Sequence, residues 1–144
     1  MSTDHEAEFT RAFIASAKRA RFIQALAHPK HRPEALVLLD EHLPYMPGFG
    51  VEVPSAQDFP AELEKLLRAK GAGPTCHVIA RGLKADGREL PLREALNQIC
   101  LQASGAILSC LPGQLAYYRP AAPGRGILLE RHQPGIRSGM TLEP

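Results

Sequence analysis

A thiol at Cys110 and an imidazole at His77 are the nearest this sequence comes to a nucleophile with its base. A cysteine attacks as the thiolate, so it needs a base or a positive field to lower its pKa. His77 lies in one apolar run and Cys110 near the end of another, which places them on neighbouring strands. No third orienting group or oxyanion motif accompanies them. The bland reading, a packed core thiol and a histidine satisfied by backbone, is therefore the expectation, and Cys110/His77 is kept as a weak catalytic candidate. His28, His31 and His42 raise a metal site, but Pro29 separates the first two, so they cannot share a helical face. Loop histidines with no metal are expected.

Two further groups of residues concern binding. Residues 11–32 hold Arg11, Lys18, Arg19, Arg21, Lys30 and Arg32 and no acid. On one continuous helix Arg11, Lys18 and Arg21 fall close to one face, where they can meet phosphates. The sequence pI of about 8.5 lies below the value near 9 usual for nucleic-acid-binding domains, and no reader motif is present. A solvated face is expected, with nucleic-acid contact as the alternative. In Leu115–Arg119 strand alternation separates Tyr117 from Tyr118; one ring belongs to the core, while the other, with Arg119, offers a surface for a ligand or partner. The glycine-rich pieces GAGPT, PGRG and MPGFG lack the spacing of a phosphate cradle, so no cofactor is expected.

The elements that must position these residues follow from patterning. The chain has 144 residues, 44% hydrophobic and 22% charged, ordinary for a globular protein. No apolar run reaches the length of about 18 residues that a membrane span needs, and the polar, acidic start MSTDHEAEFT has neither a basic nor an apolar leader region. A cytoplasmic location is expected, and three cysteines without a paired short spacing agree with it. Residues 1–7 show no periodicity and read as loose. Residues 8–27 read as helix, Phe9, Phe13, Phe22, Ile23 and Leu26 marking its buried side; Ser16 offers a cap that splits it in two. Pro29 ends it. A short helix follows over 33–42. Residues 43–60, with Pro44, Pro47, Pro54 and Pro60, read as an ordered connection without a regular element.

The helix at 60–70 is stopped by Gly71. Residues 75–81 read as a strand, Asp86-Gly87 as a turn, 91–101 as a second amphipathic helix, and 126–131 as a last strand. Between those last two lies 105–120, GAILSCLPGQLAYYRP, which reads as two buried strands around a Pro112-Gly113 turn. Strand, helix, strand in this order predicts a parallel pair with a right-handed crossover. The continuous apolar run before the turn marks a strand covered on both faces. Pro112-Gly113 suits a type II turn, which fits a tight two-residue hairpin poorly and predicts a wider or bulged connection.

The segments Cys76-His77-Val78-Ile79, Asp86-Gly87, 92–96 and 107–118, in that order, resemble a group of small bacterial proteins of uncharacterised function. The resemblance covers roughly residues 9–131. It implies a helical N-terminal half and a sheet-bearing C-terminal half, and it implies no activity.

The sequence thus predicts a single α+β domain over residues 1–131. Its helical part, 8–70, packs on a mixed sheet of about four strands within 74–131, with one β-α-β crossover and a tail at 132–144. It predicts an intracellular, non-enzymatic binding module, self-associating as a homodimer or engaging another protein around Tyr117, Tyr118 and Arg119. The alternatives are nucleic-acid association through Arg11, Lys18, Arg19 and Arg21, and a small enzyme with a Cys110/His77 site.

Overall fold

Apolar runs with no polar alternation need cover on both faces, and the sheet of this α+β protein is built that way. The structure, a computed structural model, describes residues 2–41, 43–102, 104–121 and 125–131; His42 and the 132–144 segment lie outside them. Six strands form one antiparallel sheet: β1 (Gly50–Glu52), β2 (Thr75–Ala80), β3 (Glu89–Pro91), β4 (Ala106–Leu111), β5 (Leu115–Arg119) and β6 (Ile127–Glu130), in the order β1-β6-β5-β4-β2-β3. On one face lie α1 (Ser2–Phe13), α2 (Ser16–Ala27) and α3 (Arg32–Glu41), which bring Phe9, Phe13, Phe22 and Leu39 against Ile79, Ile107 and Tyr118. On the other, α4 (Pro60–Ala69) and α5 (Leu92–Leu101) set Leu63, Leu67, Leu96 and Ile99 against Val78, Leu108 and Tyr117.

The expected sheet of about four strands with a parallel crossover is corrected to six antiparallel strands, and the reason is one missed hairpin. Asp86-Gly87 does turn the chain back, Gly87 at φ 79° donating its N–H to Val78 O at 2.8 Å. The return leg is itself a strand, β3, with Thr75 opposite Pro91. That extra traverse reverses the chain before α5 begins, so β4 enters antiparallel to β2, with Ala80 opposite Ala106. Pro91 is tolerated because β3 is an edge strand. At the other edge β1 arises within the proline-rich connection, which was expected to hold no regular element; it pairs Val51 with Leu128.

Two expectations about the first helices also change. Residues 1–7, expected loose, are helical from Ser2, because contacts made by His5 and Glu6 hold that turn on the sheet. The break between α1 and α2 falls close to Ser16, but Ser16 does not cap it; Ala15 is the capping residue and no side chain bonds there. The break is made by the proline-rich connection, where Ala15 donates its N–H to Pro44 O at 2.8 Å and Met46 donates to Phe13 O at 2.7 Å. The turn after β4 matches its expectation: Gln114 N–H bonds Leu111 O at 2.9 Å across Pro112 and Gly113, the latter at φ 72°. The register shifts between Ser109 and Leu111, which makes Cys110 the bulge residue.

Gly105 opens β4 for a steric reason. A side-chain carbon there would overlap the Leu39 carbonyl and reach within 2.8 Å of Asp40 N. That close approach lets Gly105 N–H bond Asp40 Oδ1 at 2.7 Å and joins the end of α3 to the sheet. Because the clash is with backbone, Gly105→Ala should cost about 2–3 kcal/mol. It should lower the urea midpoint with an unchanged m-value, while Ser104→Ala stays within about 0.5 kcal/mol. An unaltered midpoint in Gly105→Ala would show that α3 can retreat freely.

Candidate functional site

The sheet register separates the two residues of the weak catalytic candidate. His77 stands opposite Ser109 in the β2–β4 ladder, on the face covered by α1, where its ring stacks on that of His5 with centroids 5.3 Å apart. Cys110, the next residue along β4, belongs to the core of the opposite face. The sheet thus lies between thiol and imidazole, and the Cys110/His77 pair does not assemble. Burial pushes the Cys110 thiol far up, and takes Cys76 up to about 12, with Glu89 adding to it. Burial raises Cys100 as well.

Tyr117 and Tyr118 are both buried, one in each core. Tyr117 donates to Asp58 Oδ1 at 2.5 Å and accepts from Arg119 Nη1 at 2.9 Å. Asp58 Oδ2 also accepts the Gly126 N–H at 3.1 Å. Tyr118 donates to Leu39 O at 2.6 Å, satisfying a carbonyl near the end of α3 that the helix itself leaves open. Burial, then the bond to Asp58, raises the Tyr117 phenol; burial takes Tyr118 up to about 12. These hydroxyls anchor loops and helix ends on opposite sides of β5. Arg119, half-buried, is part of the Asp58 anchor.

Charge is buried under α1, where sequence reasoning placed nothing. Arg32, the first residue of α3, presents a guanidinium whose five N–H groups all find acceptors. Nη1 and Nη2 reach Glu6 Oε1 and Oε2, each at 2.8 Å; Nε and Nη2 reach Asp86 Oδ2 and Oδ1, also at 2.8 Å; Nη1 bonds Leu26 O at 3.0 Å. Glu6 Oε2 also accepts from His77 Nε2 at 2.7 Å, and Ser109 Oγ meets His5 Nδ1 at 2.9 Å. His77 and Ser109 are each 1% exposed, so no substrate reaches them in this conformation. The available signal was that His77 and Ser109 are polar residues inside otherwise apolar strands. Their partners Glu6, Arg32 and Asp86 are far away in sequence and gave none.

The basic residues divide. The α1–α2 break puts Arg11 on a different helix from Lys18 and Arg21, so the single face predicted for the three is corrected. Arg11 pairs with Glu8 at 2.8 Å, and Arg19 folds back onto Ile14 O at 3.2 and 3.3 Å. Lys18 and Arg21 remain exposed, and they border a groove of about 380 Å³ between α2 and α3. Its apolar surface comes from Phe22, Ala25, Ala35, Leu38 and Pro44. A second, more polar depression of about 490 Å³ continues from it past Arg21, Ala25 and Glu34 to His28 and His31. This groove joins apolar surface with two cations that have no ion pair among the described residues.

No protein-family model, curated protein or solved structure matches this chain. Among the described residues no group of three or more His, Cys, Asp or Glu side chains is set to hold a metal, and no helix is long and apolar enough to cross a membrane.

Two measurements test these assignments. Iodoacetamide at neutral pH should leave Cys76 and Cys110 unmodified in the folded protein and label all three thiols in urea, as counted by mass spectrometry. Rapid labelling of folded Cys110 would overturn its placement. For Glu6, burial raises the pKa as the largest single effect, but bonds from Arg32 and His77 together outweigh it and hold the carboxyl below its ordinary 4.5. A depressed carboxyl stabilises in full above its unfolded pKa and loses that contribution as pH falls through the folded value. Glu6→Gln should therefore be destabilised at neutral pH, with the gap to wild type narrowing below about pH 4–5. A pH-independent gap in urea titrations would contradict this.

Proposed function

We propose that this is an intracellular, non-enzymatic binding module whose recognition surface is the α2–α3 groove, and that its partner is a protein segment carrying apolar side chains flanked by acidic ones. The observation that carries this reading is the coincidence of an apolar floor with two unpaired cations. Phe22, Ala25, Ala35 and Leu38 line the groove, and Lys18 and Arg21, which have no ion pair among the described residues, border it together with one carboxylate, Glu34. Leu38 is 38% exposed, so apolar surface is left uncovered in the groove where a partner can bury it. Apolar anchors would supply affinity, and the cations would select against basic segments and speed encounter. The surface expected around Tyr117, Tyr118 and Arg119 is thereby moved to the groove.

Charge complementarity favours an acidic protein segment over nucleic acid. Of the four residues proposed as phosphate contacts, Arg11 and Arg19 have partners within the chain, which leaves Lys18 and Arg21 as a thin electrostatic footprint. Selection of short displayed peptides on the purified protein should return sequences with apolar residues at helical spacing next to Asp or Glu. Ala25→Trp, which fills the groove, should abolish their binding, and Lys18→Glu with Arg21→Glu should weaken it roughly tenfold or more, about 1.4 kcal/mol. The reading fails if the selected peptides bind Ala25→Trp unchanged. It also fails if a labelled single-stranded oligonucleotide binds instead with a steep salt dependence, or if light scattering shows a second copy covering the groove.

A further inference from the structure

We propose that His28 and His31 form a two-histidine chelating site for a borderline divalent transition ion such as zinc, with Glu34 orienting the His31 ring from behind. Pro29 keeps the two residues off a common helical face, but the turn between α2 and α3 brings them together by another route. His31 and Arg32 both donate their N–H groups to His28 O, at 2.9 and 2.8 Å. The imidazoles then face one another with centroids 4.9 Å apart and planes inclined at 50°. Two imidazoles sharing a tetrahedral ion at Zn–N distances near 2.0–2.1 Å stand roughly 5 Å apart, centre to centre. The observed spacing of 4.9 Å is close to that distance.

The other nitrogens fit the same reading. Glu34 Oε2 lies 3.4 Å from His31 Nδ1. This contact is long and exposed; a carboxylate that closes to hydrogen-bond distance when an ion binds would fix the tautomer and leave Nε2 as the ligand, the arrangement by which metal-bound histidines are commonly oriented. His28 makes no hydrogen bond with its ring among the described residues, so either of its nitrogens is available. Both rings line the polar depression beside the groove, with Glu34 as its carboxylate and Arg21 as its opposing cation. The turn is held in place by Arg32, whose guanidinium is anchored on Glu6 and Asp86 immediately after His31. The backbone that carries the pair is therefore fixed, while both rings lie at the surface. Two protein ligands leave the remaining positions to water or to a side chain of another molecule, and imidazole donors favour zinc or copper over magnesium or calcium. The site adjoins the groove of the proposed partner and shares Arg21, Ala25 and Glu34 with it, but its ligands His28 and His31 line only the polar depression.

Isothermal titration of zinc chloride into the full chain, in a non-chelating buffer near neutral pH, tests it. One ion per chain should bind at micromolar concentrations, His28→Ala and His31→Ala should each abolish that event, and Glu34→Gln should weaken it about 10- to 100-fold. All three positions are exposed, so the variants should unfold at the wild-type urea midpoint, and that check separates lost ligation from lost fold. Binding that survives His28→Ala, or that appears only at millimolar zinc in the wild type, would overturn the site. Equal affinity in Glu34→Gln and wild type would overturn the orienting role of the carboxylate.

Discussion

The guanidinium of Arg32 is the constraint on which much of the arrangement depends. It reaches a carboxylate from α1, a carboxylate from the turn between β2 and β3, and the carbonyl of Leu26 near the end of α2. Each of its five N–H groups has an acceptor, which is the full capacity of the side chain. Two paired carboxylates raise the Arg32 pKa further, the bond to Asp86 first and that to Glu6 next. Buried ion pairs add little net stability against apolar packing of the same volume, but removing one partner from such a pair costs about 3–5 kcal/mol. What Arg32 confers is position: through Glu6 and Asp86 it ties α1 to the turn between β2 and β3. A lysine would not substitute, because a single ammonium cannot make two bidentate contacts.

The Tyr117-Tyr118 pair does for β5 what Arg32 does for the helical face. Successive side chains of a strand point to opposite sides, so one dipeptide sends a hydroxyl toward each helical layer. Tyr117 fixes Asp58, just ahead of α4, and Tyr118 fixes the end of α3. Gly105 completes the joint by letting β4 begin in contact with Leu39 and Asp40. Cys76, Cys110, Tyr117, Tyr118, His77 and Ser109, which have the most obvious chemical capacity, are committed to this interior. The α2–α3 side carries an open groove with apolar lining and a histidine turn beside it.

Much of the fold was legible in local pattern, and the errors have a common origin. The helices around Leu63 and Leu67 and around Leu92, Leu96 and Ile99 repeat apolar residues at helical spacing, which declares a buried face without reference to any partner. Pro112-Gly113 declared its turn because only glycine holds φ 72° without strain. The runs at 75–80 and 106–111 declared strands covered on both sides. By contrast β1 and β3 span three residues each, too short to show alternation, and they exist only because a longer strand offers them a free edge. Missing β3 inverted the direction of β4, so a local omission became a topological error. The first turns of α1 were missed for the same reason, since the anchors of His5 and Glu6 lie far along the chain at Ser109 and Arg32.

The sequence alone determined most of the layers: where the helices lie apart from the first turns of α1, which long strands are buried on both faces, and that the cysteines sit in apolar surroundings. These follow from periodicity and turn chemistry, which act over a few residues. Tertiary structure alone decided that His77 and Cys110 face opposite sides of the sheet, because one residue of offset between ladder partners exchanges the faces. It also decided that Arg11 parts from Lys18 and Arg21, because the Pro44 carbonyl takes the Ala15 N–H and breaks the helix between them. It brought His28 and His31 together by closing a turn behind an arginine whose partners lie 26 and 54 residues away. Long-range pairing of charges and hydrogen bonds leaves no periodic trace in a sequence, and in this protein it decides which side chains meet.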